Sequence, residues 1–261
     1  WKINDNRIGA IQKAYQVHVS TDPISLTQNE KLYWDSEKVY QSDILVKYNG
    51  KSLAPQSRYF WKVVSWDKDG KQHSSSIASF EMGMLSTKSW KGAWISDHHD
   101  IHFKPAPYFR KQFTVNKKIK SARAYIAVAG LYELSVNGQR VGDHFLDPMY
   151  TRFDKRTLYV THDVTSDLQK GNNAIGVILG NGWYNHQSLA VWDFHNAPWR
   201  GRPTFCLDLR IVYEDDSEEI IKTERDWKTS FGPIIANSIY TGEHYDARLE
   251  QSGWDKPGFD D

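Results

Sequence analysis

The feature that most restricts how this chain can fold is a two-residue alternation of apolar and polar side chains, carried in short runs broken by Gly, Asn, Asp and Pro. Successive side chains of a strand point to opposite faces, so alternation sends half of each run into a core and half into water. Between residues 11 and 82 the runs are AYQVHVS, KVYQSD, ILVKY, YFWKVVSWD and IASFEMG, separated by the turn-rich STDP, YNGKS and DKDGK. About seven strands in roughly eighty residues is the pattern of a fibronectin type III or immunoglobulin-like sandwich. Within YFWKVVSWD, the set Tyr59, Trp61 and Val63 is expected to face inward.

Residues 83–91, GMLSTKSWK, lose the alternation and carry small polar side chains, as linkers do. The expected organisation is a sandwich over 1–85, a linker over 86–91 and a second domain over 92–261. After WKGAWISD the pattern resumes in YFRKQFTV, SARAYIAVAG, LYELSVNG, RTLYVTHDV, NAIGVILGN, TFCLDLRIVYEDD, EEIIKTERDWKTS and SIYTGEHYDAR. Asn137-Gly138 is a hairpin signal, because both residues tolerate the positive φ of a type I′ turn. Eight or more strands with long intervening segments favour a jelly-roll (galactose-binding-like) β-sandwich. The segment THDVTSDLQKG alone looks helical, with Thr161 or Asp163 as cap and Gly171 as stop. The fold class is therefore all-β, an immunoglobulin/fibronectin III-like sandwich followed by a jelly roll.

Charge and hydropathy remove several classes. Thirty-three Lys and Arg balance thirty-two Asp and Glu, and no block of like charges occurs, so an electrostatic nucleic-acid binder is not expected. The longest apolar stretches, such as IGVILG at 175–180, are too short for a membrane span. The single cysteine, Cys206 in TFCLDLRIVY, reads as a small buried core residue, and no disulfide forms within the chain. The opening at Trp1, without Met or a signal peptide, suggests a processed or excised chain.

Aromatic content stands out, with eleven Trp, fourteen Tyr and eleven Phe. Many belong to cores, since β-sandwiches use aromatics as large inward plugs. One segment is unlike its surroundings: GNGWYNHQSLAVWDFHNAPWRGRP, residues 180–203. It sets Trp183, Tyr184, Trp192, Phe194 and Trp199 among Asn181, Asn185, His186, Asp193, His195 and Arg200, with no strand alternation. Flat apolar faces suit the C–H face of a pyranose, and amide and carboxylate groups suit its hydroxyls. The competing reading packs these rings beneath their own loop.

A second segment, VGDHFLDPMYTRFDKR at 141–156, holds Asp143, Asp147 and Asp154 with Arg152 and Arg156. It lacks EF-hand spacing, and ordinary turn acids are the simpler reading. His98, His99, Asp100 and His102 match no structural-zinc spacing and read as a solvated loop. No nucleophile elbow, Walker A loop or H-E-x-x-H pair occurs, so no catalytic residues are assigned.

The ordered strings GLYELSVNGQRVGDHFLDPMYTRFDKRTLYVTHDVT, GNNAIGVILGNGWY, WRGRP and GPIIANSIYTGEHYDAR closely resemble the amino-terminal jelly-roll domain of bacterial α-L-rhamnosidases. WDSEKVYQSD and SRYFWKVVSWDKDGKQHSSSIASFEMG look like the fibronectin-type sandwich that leads those enzymes. The resemblance implies a glycoside hydrolase that removes terminal L-rhamnose with acids on a downstream (α/α)6 barrel, for which no long amphipathic helices exist here. It implies no required cofactor, rhamnose-containing glycans and the downstream catalytic domain as partners, and a periplasmic or extracellular location.

By the resemblance and the loop chemistry, the sugar-contacting candidates are Asp143, Asn181, Trp183, Tyr184, Trp192, Asp193, Trp199 and Glu243. Related modules place calcium beside the sugar, which marks Asp143, Asp193 and the backbone near Pro198 as ligands, with His144 where an amide would follow the acid. Glu243, in GEHYDAR, would project toward the substrate pocket of the intact enzyme; the plainer reading of that motif is an Asp246 to Arg248 surface pair. The alternative function is structural, with both sandwiches bracing the catalytic domain and binding no sugar themselves.

Overall fold

Alternation becomes sheet wherever two runs can pair, and in the first unit the longest run is the organiser. This computed structural model describes residues 1–189 and 192–261; Ala190 and Val191, inside the 180–203 loop, lie outside the described residues. The chain divides into two compact units, Trp1–Ser89 and Trp90–Asp261. In the first, strand β3 (Arg58–Trp66) pairs antiparallel with β1 (Ala14–Ser20), which takes β2 (Trp34–Asp35) on its other side. The far edge of β3 is shared by β4 (Gln72–Ser74), on Val64 to Trp66, and β5 (Ala78–Glu81), on Arg58 to Trp61.

Tyr59 and Val63 are buried in the apolar cluster with Tyr15, Val17 and Val19, and Trp61 packs against it partly buried, as the alternation predicts. The opposite face of β3 is not wet everywhere. Helix α1 (Pro23–Gln28), capped by Asp22, lies near it, so Lys62 is buried and its Nζ donates to the carbonyl of Leu26.

The unit has five strands, not about seven. KVYQSD contributes only a single bridge, Val39 to Tyr15, and ILVKY forms no strand. Val39, Val46 and Tyr48 instead lay side chains against the cluster, so these runs cover the sheet without pairing with it.

The second unit is two antiparallel sheets face to face. One runs β10 (Tyr159–Asp163), β7 (Ile119–Ala129), β12 (Thr204–Tyr213), β13 (Glu218–Lys222). The other runs β14 (Lys228–Phe231), β6 (Pro107–Val115), β11 (Gly171–Gly180), β8 (Leu131–Val136), β9 (Gln139–Arg140). A separate hairpin joins β15 (Ile234–Ser238) to β16 (Gly242–Tyr245). Ile126, Val128, Leu207, Leu209 and Ile211 of the first sheet meet Leu134, Val136, Ile175, Val177 and Leu179 of the second in one core.

Two glycines make corners that a side chain would spoil. Gly130, at φ 127°, carries the chain from β7 to β8, and a Cβ there would stand 2.6 Å from the carbonyl oxygen of Gly180. Asn137 and Gly138, at φ 52° and 81°, form the expected tight turn into β9. THDVTSDLQKG is not a helix. Thr161 to Asp163 lie in β10 opposite Tyr125 to Arg123, and the Asp163 carboxylate accepts from Thr165 N and Oγ1 to close a turn at the strand exit. The open edge of β7 outcompetes the weak helical signal.

Cys206 is buried, as expected, and burial pushes its thiol up to about 11. Trp90 and Lys91, within the stretch expected as linker, belong to the second unit: Trp90 packs edge-on against Tyr159, and the amides of Lys91 and Gly92 donate to the buried Asp208 carboxylate.

Candidate functional site

Three irregular segments meet at one end of the second unit: 141–158 between β9 and β10, 181–203 between β11 and β12, and the tip of the β15–β16 hairpin. Their floor is a hydrogen-bonded amide network, because a loop this buried must satisfy its polar groups internally. Asn181 N donates to Asn237 Oδ1 at 2.7 Å, and Asn181 Nδ2 to the Asn237 carbonyl at 3.0 Å. Asn185 Nδ2 donates to Asn181 Oδ1 and to the Ile101 carbonyl, each at 3.0 Å. Arg200 Nε in turn donates to Asn185 Oδ1 at 2.9 Å, and its Nη1 to the His195 carbonyl at 2.9 Å. Lower still, Arg202 grips Asp97 with two bonds of 2.8 Å and donates to the carbonyls of Phe103 and Pro105.

Above this floor sits a cluster of rings from all three segments. Trp183 lies 5.0 Å from Phe194, 5.6 Å from Tyr240 and 6.1 Å from Tyr150, centroid to centroid. Phe153 meets Tyr184 at 5.1 Å, Phe194 meets Trp199 at 6.3 Å, and the Arg152 guanidinium stands 6.0 Å from the Trp199 ring. Trp192 forms the rim, 72% exposed and 6.3 Å from Phe194. Within and beside the cluster, His186 Nδ1, His195 Nδ1 and Trp199 Nε1 are buried without a hydrogen-bond partner among the described residues.

Of the sequence candidates, Trp183, Tyr184, Trp192 and Trp199 are brought together, and Asp193 lies beside them, exposed, at φ 51° before the 3-10 turn Phe194–Asn196. Asn181 is 2% exposed, and its side-chain amide bonds Asn237 and Asn185, which holds the loop in place. Asp143 projects into solvent, with only His144 Nε2 nearby at 3.7 Å. Among the described residues no group of three or more His, Cys, Asp or Glu is placed to hold a metal ion. The side chains of Asp143 and Asp193 thus do not by themselves supply the six to eight oxygens that calcium takes.

Glu243 lines a groove between β8, β11 and the hairpin, with Leu131 and Tyr245. Asp246 and Arg248 form the expected surface pair, at 2.6 Å. Nor are His98, His99, Asp100 and His102 all solvated, since His99 stacks on Phe103 at 3.9 Å and sits 3.4 Å from Asp97. Tyr150, Phe153 and Tyr240 escape sequence reasoning as site residues. Their signal is slight: two aromatics in MYTRF, where alternation has stopped, and one at a hairpin tip.

Two histidines at this end are held below the ordinary imidazole range, both chiefly by burial. His195 and Arg200 push His186 further down, whereas Asp147 works against burial at His162, whose Nε2 lies 2.8 Å from the Tyr132 hydroxyl. A base whose folded pKa lies below its unfolded value binds fewer protons when native. Its contribution is complete above the unfolded value of about 6.5 and is lost as pH falls toward the folded one. Melting temperature should therefore decline on acidification from about pH 7.5 to about pH 5.5, and His186→Leu should flatten that slope. An unchanged slope in the variant would remove His186 from the acid response.

The structure of an α-L-rhamnosidase from Dictyoglumus thermophilum superimposes with a TM-score of 0.91 at 41% identity, covering 100% of this chain and 30% of that one. The native enzyme from Aspergillus terreus gives 0.86 at 33% identity, covering 98% and 30%. An α-L-rhamnosidase of Formosa agariphila is 36% identical over 289 residues, covering all of this chain and 30% of its own. The chain thus spans about 30% of the length of the curated relatives that match it throughout. Residues 1–86 match a family model described as a Rha78A-like N-terminal immunoglobulin domain. Residues 117–261, more than half of the chain, match the model described as the alpha-L-rhamnosidase N-terminal domain, and the chain belongs to that family.

Proposed function

We propose that the chain is a carbohydrate-contacting accessory region of a multidomain α-L-rhamnosidase, acting outside the cytoplasm, whose hydrolytic acids lie on a catalytic domain elsewhere in the polypeptide. The observation that carries this reading is the convergence of rings from three segments into one cluster with an open rim, where Trp192, Tyr150 and Tyr240 are 72%, 45% and 49% exposed. Stacking a sugar on such rings supplies apolar burial, and the exposed Asp143, Asp193 and Asn196 supply hydroxyl partners. Calcium beside Asp143 would need further ligands from backbone or solvent.

Calorimetric titration with L-rhamnose and rhamnosylated oligosaccharides, with and without calcium, tests the reading. Saturable binding abolished by Trp183→Ala is expected, and no heat at millimolar sugar in either condition would count against it.

The second reading, in which this end braces the catalytic domain, rests on the exposed apolar side chains of two of its segments, Phe145, Leu146 and Met149 in one and Leu189 and Trp192 in the other, since exposed apolar surface suits a partner. Under it, Trp192→Ala in the full-length enzyme lowers the melting temperature and leaves sugar affinity unchanged. Lost affinity at an unchanged melting temperature supports the first reading.

A further inference from the structure

The groove that Glu243 lines has a chemistry of its own. It encloses about 580 Å³ between the outer face of β8 and β11 and the hairpin β15–β16. Its floor is apolar, built from Leu131, Ile178 and Ile234. Its rim is acidic: Glu133 and Glu243 line it, and Glu250 stands beside Tyr245, whose hydroxyl donates to it at 2.8 Å.

The one cation in the lining, Arg140, is already engaged. It stands 4.0 Å from Glu133, lies 4.2 Å from the Phe145 ring and donates to the carbonyls of Gly142 and His144. Glu243 has no ion pair among the described residues. Tyr108, only 7% exposed, also lines the groove, and its hydroxyl has no hydrogen-bond partner among the described residues. Burial, with Tyr245, Glu243, Glu133 and Glu250 around it, pushes that hydroxyl up to about 12, so it remains a donor at neutral pH.

Two lining carboxylates, of which Glu133 pairs with Arg140 and Glu243 stands without an ion pair among the described residues, over an apolar floor edged by the Tyr108 hydroxyl, favour a cation set between apolar groups over a neutral sugar. We infer that this groove docks a polypeptide segment that presents an arginine or lysine between apolar side chains. Its cation would sit against Glu243, its apolar neighbours on Leu131 and Ile178, and a backbone carbonyl on the Tyr108 hydroxyl. The inference is independent of sugar contact at the ring cluster, and either can fail without the other.

The test is an NMR titration of the chain with acetyl-Leu-Arg-Leu-amide, alongside the Leu-Gln-Leu and Leu-Glu-Leu counterparts. The arginine peptide should shift the resonances of Ile178, Ile234 and Gly242 at millimolar concentration, and the glutamate peptide should not. Glu243→Gln should weaken the arginine peptide by about threefold to fivefold, as for a partly exposed charge pair, and half-molar salt should act likewise. Tyr108→Phe, which keeps the ring, should weaken all peptides that bind. Trp183→Ala should leave peptide binding unchanged. Equal responses to all three peptides, no response at high millimolar concentration, or movement of these resonances by L-rhamnose would overturn the inference.

Discussion

Replacing Asp97 by alanine is expected to destabilise the second unit by about 3–5 kcal/mol. The side chains of Asp97 and Arg202 are 1% and 6% exposed, and the carboxylate meets the guanidinium with two bonds of 2.8 Å. Taking the carboxylate away leaves a buried cation with the carbonyls of Phe103 and Pro105 and the Phe103 ring but no counter-charge in contact, and takes from His99 its neighbour at 3.4 Å. The penalty lies in the unpaired charge more than in the lost bonds. Asp97→Leu combined with Arg202→Met should recover most of the loss, because it removes both charges and keeps the volume. Urea denaturation followed by tryptophan fluorescence reads both. A single variant costing under about 1 kcal/mol would mean that the pair behaves like a surface one.

Phe205→Ala should cost about as much, roughly 3–5 kcal/mol, for a different reason. Phe205 is fully buried between the two sheets, edge-on to Phe109 at 5.1 Å and to Trp227 at 5.4 Å. Truncation removes the transfer energy of a benzyl group and leaves a cavity that rings on both sides hinder from closing. With about 2–4 °C per kcal/mol for a unit of this size, the melting temperature should fall by about 10 °C, and Phe205→Leu by much less. A small shift for alanine would show that Phe109 and Trp227 collapse into the space.

The two cores were legible because burial and period two are the same information. Tyr59 and Val63, or the run from Leu207 to Ile211, reach the inside simply by alternating. The Asn137-Gly138 turn was legible because its φ angles leave few other residues. What the alternation could not carry was pairing. ILVKY alternates as well as its neighbours, yet its side chains reach the core without any edge partner, and THDVTSDLQKG follows an unfilled sheet edge that no local pattern announces.

The candidate site was half legible for a related reason. Trp183, Tyr184, Trp192 and Trp199 share one segment and betray themselves by density, whereas Tyr150, Phe153 and Tyr240 arrive from elsewhere in the chain. Asn181 and Glu243 show the converse, residues whose chemistry the sequence displays but whose surroundings it does not. One is bonded into the floor, and the other lines the groove between β8, β11 and the hairpin.

Sugar contact at the ring cluster is tested most directly by following the indole Nε1–H resonances of the eleven tryptophans during a titration with L-rhamnose. Shifts are expected at Trp183, Trp192 and Trp199, and none at Trp227, buried in the core, or Trp254, packed on Tyr108. Unmoved indoles of Trp183, Trp192 and Trp199 at saturating sugar, or shifts confined to tryptophans of the first unit, would contradict it.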